Sequence, residues 1–278
     1  MVKAFVIGHP VAHSRSPLLH GFWLDRFGIR GSYERIDVAP ADLPDFLRGI
    51  AARGFAGGNV TVPHKEGAFA GVDVATERAR RLGAVNTLWF EDGRLHGDNT
   101  DGIGFTRSVA QALGPDWAGR TRTALVLGAG GAARAVVPAL LDEGVGRVLV
   151  ANRDLGRARA LAVFDPDRVA AVAPADLPTA LAGTDLLVNT TSLGMKGQPP
   201  LAIDLAPLPA GAAVADIVYV PLETPLLAAA RRRGLATVDG LGMLLHQAVP
   251  GFRRWFGTEP VVDDALRAHV LSDLEPAP

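Results

Sequence analysis

Residues 123–134 read Thr-Ala-Leu-Val-Leu-Gly-Ala-Gly-Gly-Ala-Ala-Arg, and this stretch decides how the rest of the chain is read. The β-prone run Thr123–Leu127 passes directly into Gly128-Ala129-Gly130-Gly131-Ala132-Ala133, and a helical pattern follows over Gly131–Glu143. This is G-x-G-x-x-A in the order strand, turn, helix. Gly128 permits the tight turn, Gly130 lets backbone approach a pyrophosphate, and small Ala133 allows the helix to pack closely on the strand. The helix N-terminus then presents N–H groups to phosphate. An isolated glycine run makes ordinary turns; in this setting it indicates a dinucleotide site.

The next strand, Val148–Ala151, ends at Asn152-Arg153, 22 residues after Gly130. NAD sites commonly place Asp or Glu there, to hold the ribose 2′-hydroxyl. Here a neutral amide precedes Arg153 and Arg157, whose planar guanidiniums suit a 2′-phosphate. The plainer reading is a pair of surface arginines at a helix start. Asp154 lies between them, either capping that helix or repelling the extra phosphate. The balance favours NADP over NAD.

Composition sets the outer bounds. The chain has 278 residues, 48% hydrophobic and 21% charged, which fits a folded protein of about two domains. A net charge of −1 and a pI near 6.7 argue against a nucleic-acid or anionic-membrane surface. Cysteine is absent, which removes disulfides, thiolate metal sites and cysteine nucleophiles. The apolar stretch in Met1–Pro10 is too short for a signal peptide. No run of about 18 apolar residues suggests a membrane span, so a soluble, cytoplasmic protein is expected. Of 28 basic residues only Lys3, Lys65 and Lys196 are lysine. Lysine can release its proton where arginine cannot, so each invites a question about proton transfer.

Short β-rich runs alternate with helical patterns. Strands are expected at Lys3–Ile7, Ser32–Asp37, Gly58–Val62, Asn86–Phe90, Thr123–Leu127, Val148–Ala151, Leu186–Asn189, Val214–Val218 and Ala236–Val238. Helices are expected at Pro17–Phe27, Asp42–Arg53, Gly131–Glu143 and Thr224–Arg233. Such alternation reads as α/β with largely parallel sheets. Leu113–Gly119, rich in Gly and Pro, reads as the loop between halves. The C-terminal residues look helical and are expected to fold back on the first half, with a frayed tail at Glu275–Pro278.

The first half carries a polar constellation. Ser16 before Pro17 is a natural N-cap, and with Ser14 it also offers two hydroxyls at a helix N-terminus for a carboxylate. In Gly58-Asn59-Val60-Thr61-Val62-Pro63-His64-Lys65, alternation puts Asn59 and Thr61 on one strand face. Pro63 then stops the strand and sets Lys65 past its end, where ligands gather in open α/β sheets. Gly83-Ala84-Val85-Asn86-Thr87 places an amide at a strand start. Asp101, in Gly97-Asp98-Asn99-Thr100-Asp101-Gly102, either caps a helix from Ile103 or serves chemistry.

Together these pieces resemble the shikimate dehydrogenase family. The matching motifs are HSRSP, NVTVPHK, GAVNT, GDNTDG, GAGGAAR, NR, NTTSLGM, DIVYVPLETPL and DGLGMLLHQA, in family order from Ser14 to Gln247. The resemblance implies an α/β substrate domain over residues 1–104, completed by C-terminal helices over 241–278. It implies a Rossmann-type NADP-binding domain over 105–240, with the active site in the cleft between the two. The implied activity is reversible hydride transfer that reduces the C3 ketone of 3-dehydroshikimate to shikimate, in aromatic amino-acid biosynthesis (the chorismate pathway).

By the same resemblance Ser14 and Ser16 hold the substrate carboxylate. Asn59, Thr61, Asn86, Asp101, Tyr219 and Gln247 contact the ring hydroxyls or carboxylate region, and Lys65 with Asp101 forms the catalytic pair. Gly128, Ala129, Gly130, Gly131 and Ala132 take the pyrophosphate, and Asn152, Arg153 and Arg157 the adenosine end. Thr190, Ser192, Met195, Ile217, Gly240 and Met243 line the nicotinamide side. Glu77 matches a position sometimes assigned to the cofactor, although an exposed helical Glu is the plainer reading.

Lys65 as ammonium can protonate the forming alkoxide or stabilise its charge. Asp101 alongside would orient it and favour its charged form. Oxidation needs the neutral amine first, so activity in that direction is expected to rise with pH. No metal is expected, since the seven histidines show no H-E-x-x-H spacing. His13 and His64 read as loop packing, and Lys196 as a solvated loop residue. The expected partners are a small-molecule substrate and cofactor, with no nucleic acid or membrane, the chain acting as monomer or homodimer. Two alternatives stay open: a quinate or aminoshikimate dehydrogenase using NAD, and a non-catalytic NADP- and shikimate-binding regulator. A short-chain reductase is disfavoured because the only tyrosines, Tyr33 and Tyr219, form no Tyr-x-x-x-Lys.

Overall fold

A computed structural model describes residues 1–274, so the expected fraying of Glu275–Pro278 lies outside the described residues. The chain divides into two compact units, Met1–Thr100 with the chain from Gln247 on, and Asp101–His246. The limits expected at residues 104 and 240 fall inside one helix and at the first residue of another.

The first unit runs β1 (Val2–Gly8), α1 (Ser16–Phe27), β2 (Gly31–Asp37), α2 (Leu43–Gly49), β3 (Phe55–Val60), α3 (Lys65–Gly71), β4 (Val74–Ala75), α4 (Glu77–Leu82), β5 (Thr87–Glu91) and β6 (Arg94–Asp98). Among the described residues these strands form one sheet, in the order β2-β1-β3-β5-β6-β4. β1 pairs parallel with β2 and β3, whereas β3–β5 and β5–β6 are antiparallel. The centre of this sheet is set by Gly58 in β3. A Cβ there would lie 2.4 Å from the Phe5 ring, so glycine is what lets the buried phenylalanine of β1 sit against its neighbour strand. Phe5 packs edge-on against Phe46 and Phe55 at 5.2 Å, within a core that includes Ile7, Ile50, Val60 and Leu88.

β3 spans Phe55–Val60 rather than the expected Gly58–Val62; with no N–H on Pro63 the ladder cannot continue, and His64 N–H bonds Thr61 C=O at 2.9 Å to turn the chain into α3. Thr61 therefore leaves the strand face it was expected to share with Asn59. β4 and β6 were not anticipated at all.

The second unit runs α5 (Asp101–Leu113), β7 (Thr123–Leu127), α6 (Gly131–Asp142), β8 (Arg147–Ala151), α7 (Leu155–Ala160), β9 (Val169–Val172), α8 (Leu177–Ala182), β10 (Leu186–Asn189), β11 (Ala213–Asp216), α9 (Pro225–Arg232) and β12 (Ala236–Val238). Its strands form an all-parallel sheet in the order β12-β11-β10-β7-β8-β9. Counted from β7 this is 3-2-1-4-5-6, the doubly wound arrangement whose strand order reverses between its first and fourth strands, here β7 and β10. β9, like β6, escaped the sequence reading. Leu113–Gly119 is not a linker between halves: α5 runs to Leu113, a 3₁₀ turn covers Pro115–Arg120, and Trp117 is buried with Phe105, Val109 and Val136. An apolar indole outweighs the loop-like Gly and Pro around it.

α10 (Gly240–Phe256) begins in the second unit, and its later turns belong to the first together with α11 (Asp264–Leu274). Trp255 Nε1 donates to Leu88 C=O at 2.8 Å, and Trp23 Nε1 to Val261 C=O at 3.3 Å.

Candidate active site

In the first unit, buried polar side chains gather where β3, β5 and the chain after β6 meet. Tyr33 Oη donates to Asn59 Oδ1 at 2.6 Å, and Asn59 Nδ2 donates to Asn86 C=O at 3.1 Å and to Thr87 Oγ1 at 3.3 Å. Asn86 Oδ1 accepts from Thr87 Oγ1 at 2.8 Å and Thr100 N–H at 2.9 Å. Thr100 Oγ1 reaches Gln247 C=O at 2.9 Å. Asn59, Asn86, Thr87 and Thr100 are all buried, and a satisfied network of this kind fixes its members in one arrangement. Burial drives the Tyr33 phenol well above its usual pKa, with its neighbours Ser16 and Asn59 acting to lower it. Ser16 is also buried, and Ser14 Oγ donates to Ser16 Oγ at 3.3 Å.

Ser16 is not the N-cap of α1. The helix starts at Ser16 itself, behind Arg15, and no side chain caps it; the Ser14 hydroxyl instead accepts the Ser16 N–H at 3.3 Å. Asp101 likewise is the first residue of α5 rather than a cap before Ile103. Lys65, half-buried, opens α3, and its carbonyl accepts Val85 N–H at 2.9 Å. That bond ties the lysine's backbone to the residue before Asn86. Thr61 sits half-buried in the turn between, and Glu77 is exposed at the start of α4. His64 is buried with Nε2 at 2.7 Å from Val38 C=O, a packing role. His13 is exposed, so it does not pack as expected.

In the second unit the glycine turn sits at the reversal point of the sheet. Gly128 has φ +102°, and a Cβ there would lie 2.9 Å from Thr190 Oγ1. Thr190, just past β10, is held by its own hydroxyl on Leu127 C=O at 2.7 Å. Around Gly130 and Gly131 a Cβ would meet nothing within 4 Å, so the backbone there is open. No side chain caps α6, and its first turn holds no acid; the helix offers its N–H groups and dipole to an anion. These features fit the pyrophosphate of a dinucleotide.

Asn152 Nδ2 donates to Asp154 C=O at 2.8 Å, and Arg153 and Arg157 are exposed. Asp154 is the N-cap of α7, its Oδ1 accepting Arg157 N–H at 3.2 Å, which settles one of its two readings. At the opposite edge Gly240 is required for close approach, since a Cβ would lie 2.2 Å from Ile217 C=O. Ile217 and Met243 pack on the same core cluster. Ser192 and Met195 are exposed on the loop after β10, and Tyr219 is half-buried after β11. Lys196 is exposed on that first loop, as a solvated residue would be. Among the described residues no helix is long and apolar enough to cross a membrane, and no three His, Asp or Glu side chains are grouped to hold a metal ion.

Sequence reasoning passed over Tyr33, Thr87 and Thr100 in the first unit and Asn189, Asp216 and Thr224 in the second. Thr87 and Thr100 stand beside residues that were singled out. Tyr33 and Asp216 gave no local signal.

Comparison with known proteins gives the relationships. Residues 6–88 match the family described as shikimate dehydrogenase substrate binding domain. Residues 109–195 match shikimate / quinate 5-dehydrogenase, and residues 240–268 the shikimate 5′-dehydrogenase C-terminal domain. The shikimate dehydrogenase (NADP(+)) of Methylobacterium radiotolerans is 66% identical over 98% of this chain and 97% of its own length. That of Rhodospirillum rubrum is 59% identical over 96% of each. The Thermus thermophilus shikimate 5-dehydrogenase, solved with NADP(H) and shikimate, superposes with a TM-score of 0.87 at 39% identity, covering 99% of this chain and 100% of that one. The Corynebacterium glutamicum quinate dehydrogenase in complex with NAD gives a TM-score of 0.90 at 36% identity, covering 98% and 99%. Motifs, fold and these matches over nearly its whole length agree that the chain belongs to the shikimate dehydrogenase family.

Proposed function

We propose that the chain is an NADP-dependent shikimate dehydrogenase, reducing the C3 ketone of 3-dehydroshikimate to shikimate and running the reverse oxidation. The observation that carries this reading is the buried cluster joining Tyr33, Asn59, Asn86, Thr87 and Thr100. It holds hydroxyl and amide groups in fixed directions, as a small polyhydroxylated acid requires, and the names of the relatives support it. Bound NADPH supplies the hydride and NADP⁺ accepts it.

The chain's own residues do the rest. Ser14 and Ser16 hold the carboxylate. Asn59, Thr61, Asn86, Tyr219 and Gln247 hold the ring, and Asp101 binds a hydroxyl and orients Lys65. The Lys65 ammonium gives its proton to the C3 oxygen in reduction, and the neutral amine takes it back in oxidation. The N–H groups over Gly128, Ala129, Gly130, Gly131 and Ala132 hold the pyrophosphate, while Asn152, Arg153 and Arg157 hold the adenosine end with its 2′-phosphate. Thr190, Ser192, Met195, Ile217, Gly240 and Met243 line the nicotinamide, and Glu77 stands at the cofactor's edge. In this reading residues 1–104 with 241–278 serve chiefly the substrate and residues 105–240 chiefly the cofactor, with Glu77 and Met243 assigned to the cofactor and Tyr219 to the substrate as the exceptions. The enzyme works in the cytoplasm as a monomer or homodimer, within aromatic amino-acid biosynthesis.

The test is to supply 3-dehydroshikimate and NADPH to the purified chain and identify the product by chromatography. Stoichiometric shikimate is expected; NADPH left unconsumed would refute the reading.

A further inference from the structure

Asn189, Asp216 and Thr224 are buried in the second unit, each no more than 2% exposed, and none has a part in the chemistry above. Asn189 ends β10 and Asp216 ends β11, while Thr224 is the N-cap of α9. Asp216 Oδ1 accepts from Asn189 Nδ2 at 2.9 Å and Val218 N–H at 3.0 Å. Asp216 Oδ2 accepts the Thr224 hydroxyl at 2.7 Å. Asn189 in turn receives Thr191 N–H at 3.0 Å and the Thr191 hydroxyl at 2.7 Å, and donates to Leu193 C=O at 3.3 Å. One carboxylate therefore joins both loops that leave the sheet: residues 190–198, with Thr190, Ser192 and Met195, and residues 217–223, with Ile217 and Tyr219. A second stitch, Lys196 N–H to Val220 C=O at 2.8 Å, runs between the same loops.

A buried carboxylate is a costly way to hold two loops, and burial pushes the Asp216 carboxyl up despite its three donors. Neutral groups would serve if only cohesion were needed. Charge-assisted bonds are shorter and more directional than neutral ones, and this one lies at the C-terminal edge of the sheet, where ligands bind in doubly wound folds.

We propose that Asp216, held by Asn189 and Thr224, is a positioning residue that sets the two loops against the nicotinamide ring, so that hydride transfer depends on it while anchoring of the rest of the cofactor does not. This rests on the nicotinamide-side assignment made under Proposed function.

The test compares the wild type with Thr224→Val, which removes the donor to Asp216, and Thr224→Ser, which keeps it. Single-turnover hydride transfer from shikimate to NADP⁺ is measured beside equilibrium binding of NADP⁺ and of 2′-phospho-ADP-ribose, which lacks the nicotinamide. Misplacement by an ångström costs about 10²-fold in rate, so Thr224→Val is expected to slow hydride transfer by at least about tenfold. Binding of 2′-phospho-ADP-ribose stays within about twofold, since its contacts are elsewhere, and Thr224→Ser restores the rate.

Should Thr224→Val be recovered unfolded, Asp216→Asn is read in the same way, with a smaller slowing of about threefold or more, because the amide turns a donor toward the Thr224 hydroxyl. A lowered melting temperature with unchanged hydride transfer would overturn the proposal. So would equal weakening of NADP⁺ and 2′-phospho-ADP-ribose, which is what a purely structural role produces. Failure of the functional reading is seen separately, in a wild-type chain that forms no NADPH from shikimate.

Discussion

Tyr33 Oη donates to Asn59 Oδ1 across 2.6 Å, with both side chains buried, and this bond decides which way the Asn59 amide faces. With its oxygen turned to Tyr33, the Asn59 nitrogen points to Asn86 C=O and Thr87 Oγ1. Tyr33→Phe keeps the ring and leaves a buried acceptor without its donor, a loss of about 1–3 kcal/mol. Urea unfolding is expected to report that loss, and KM for shikimate to rise while NADP⁺ binding stays unchanged. Unaltered stability and KM would show that Asn59 is held by other means.

Lys65 is assigned the proton. Lys65→Ala is expected to lower kcat by about 10²–10⁴-fold, the usual worth of general acid–base help, with little change in shikimate KM. Steady-state kinetics decide it: a large rise in KM at constant kcat would make Lys65 a binding residue.

His20 carries a pH signature in stability. It is fully buried among Trp23, Tyr33, Phe252 and Trp255, and neither ring nitrogen has a hydrogen-bond partner. Burial lowers its pKa from 6.5 to about 3, with nearby Asn59 opposing only weakly. Between those values the unfolded chain takes up a proton that the native state refuses. Stability from neutral His20 is therefore complete above pH 6.5 and lost as pH falls toward 3. The total is of the order of 5 kcal/mol, at about 1.4 kcal/mol per pH unit. Unfolding free energies measured from pH 6.5 down to 4.5 should fall less steeply in His20→Phe than in the wild type; parallel slopes would contradict the assignment.

Gly128→Ala tests the turn. The backbone there is left-handed, and the added methyl lies 2.9 Å from Thr190 Oγ1 and Thr191 Cγ2. A strain of about 1–3 kcal/mol is expected. NADP⁺ and 2′-phospho-ADP-ribose should weaken together, because both carry the pyrophosphate that this turn is proposed to hold. Titration calorimetry showing loss of NADP⁺ binding alone would move the defect to the nicotinamide side.

What could be read from residue order was whatever is written locally. Leu186–Asn189, Ala236–Val238 and Thr123–Leu127 coincide with β10, β12 and β7, because compact β-prone runs sit between turn residues. The Gly128 turn and the Asp154 cap were legible for the same reason. Arg94–Asp98 escaped because its polar residues and glycine carry no apolar alternation, and Val169–Val172 because two alanines dilute a four-residue strand. Ser16 misled because a second hydroxyl, Ser14, satisfies its N–H first. Tyr33 with Asn59, and Asn189 with Asp216, are joined across 26 and 27 positions; no local pattern announces a bond of that kind.

The pairing of shikimate with NADP is tested most directly by kcat/KM for shikimate or quinate, each with NADP⁺ or NAD⁺, from the absorbance of the reduced cofactor. With Arg153 and Arg157 proposed to hold the 2′-phosphate, shikimate with NADP⁺ is expected to exceed shikimate with NAD⁺ by at least about tenfold, since a lost charged contact costs more than 1.4 kcal/mol, and to exceed both quinate pairs. Equal or higher kcat/KM with quinate or NAD⁺ would contradict it.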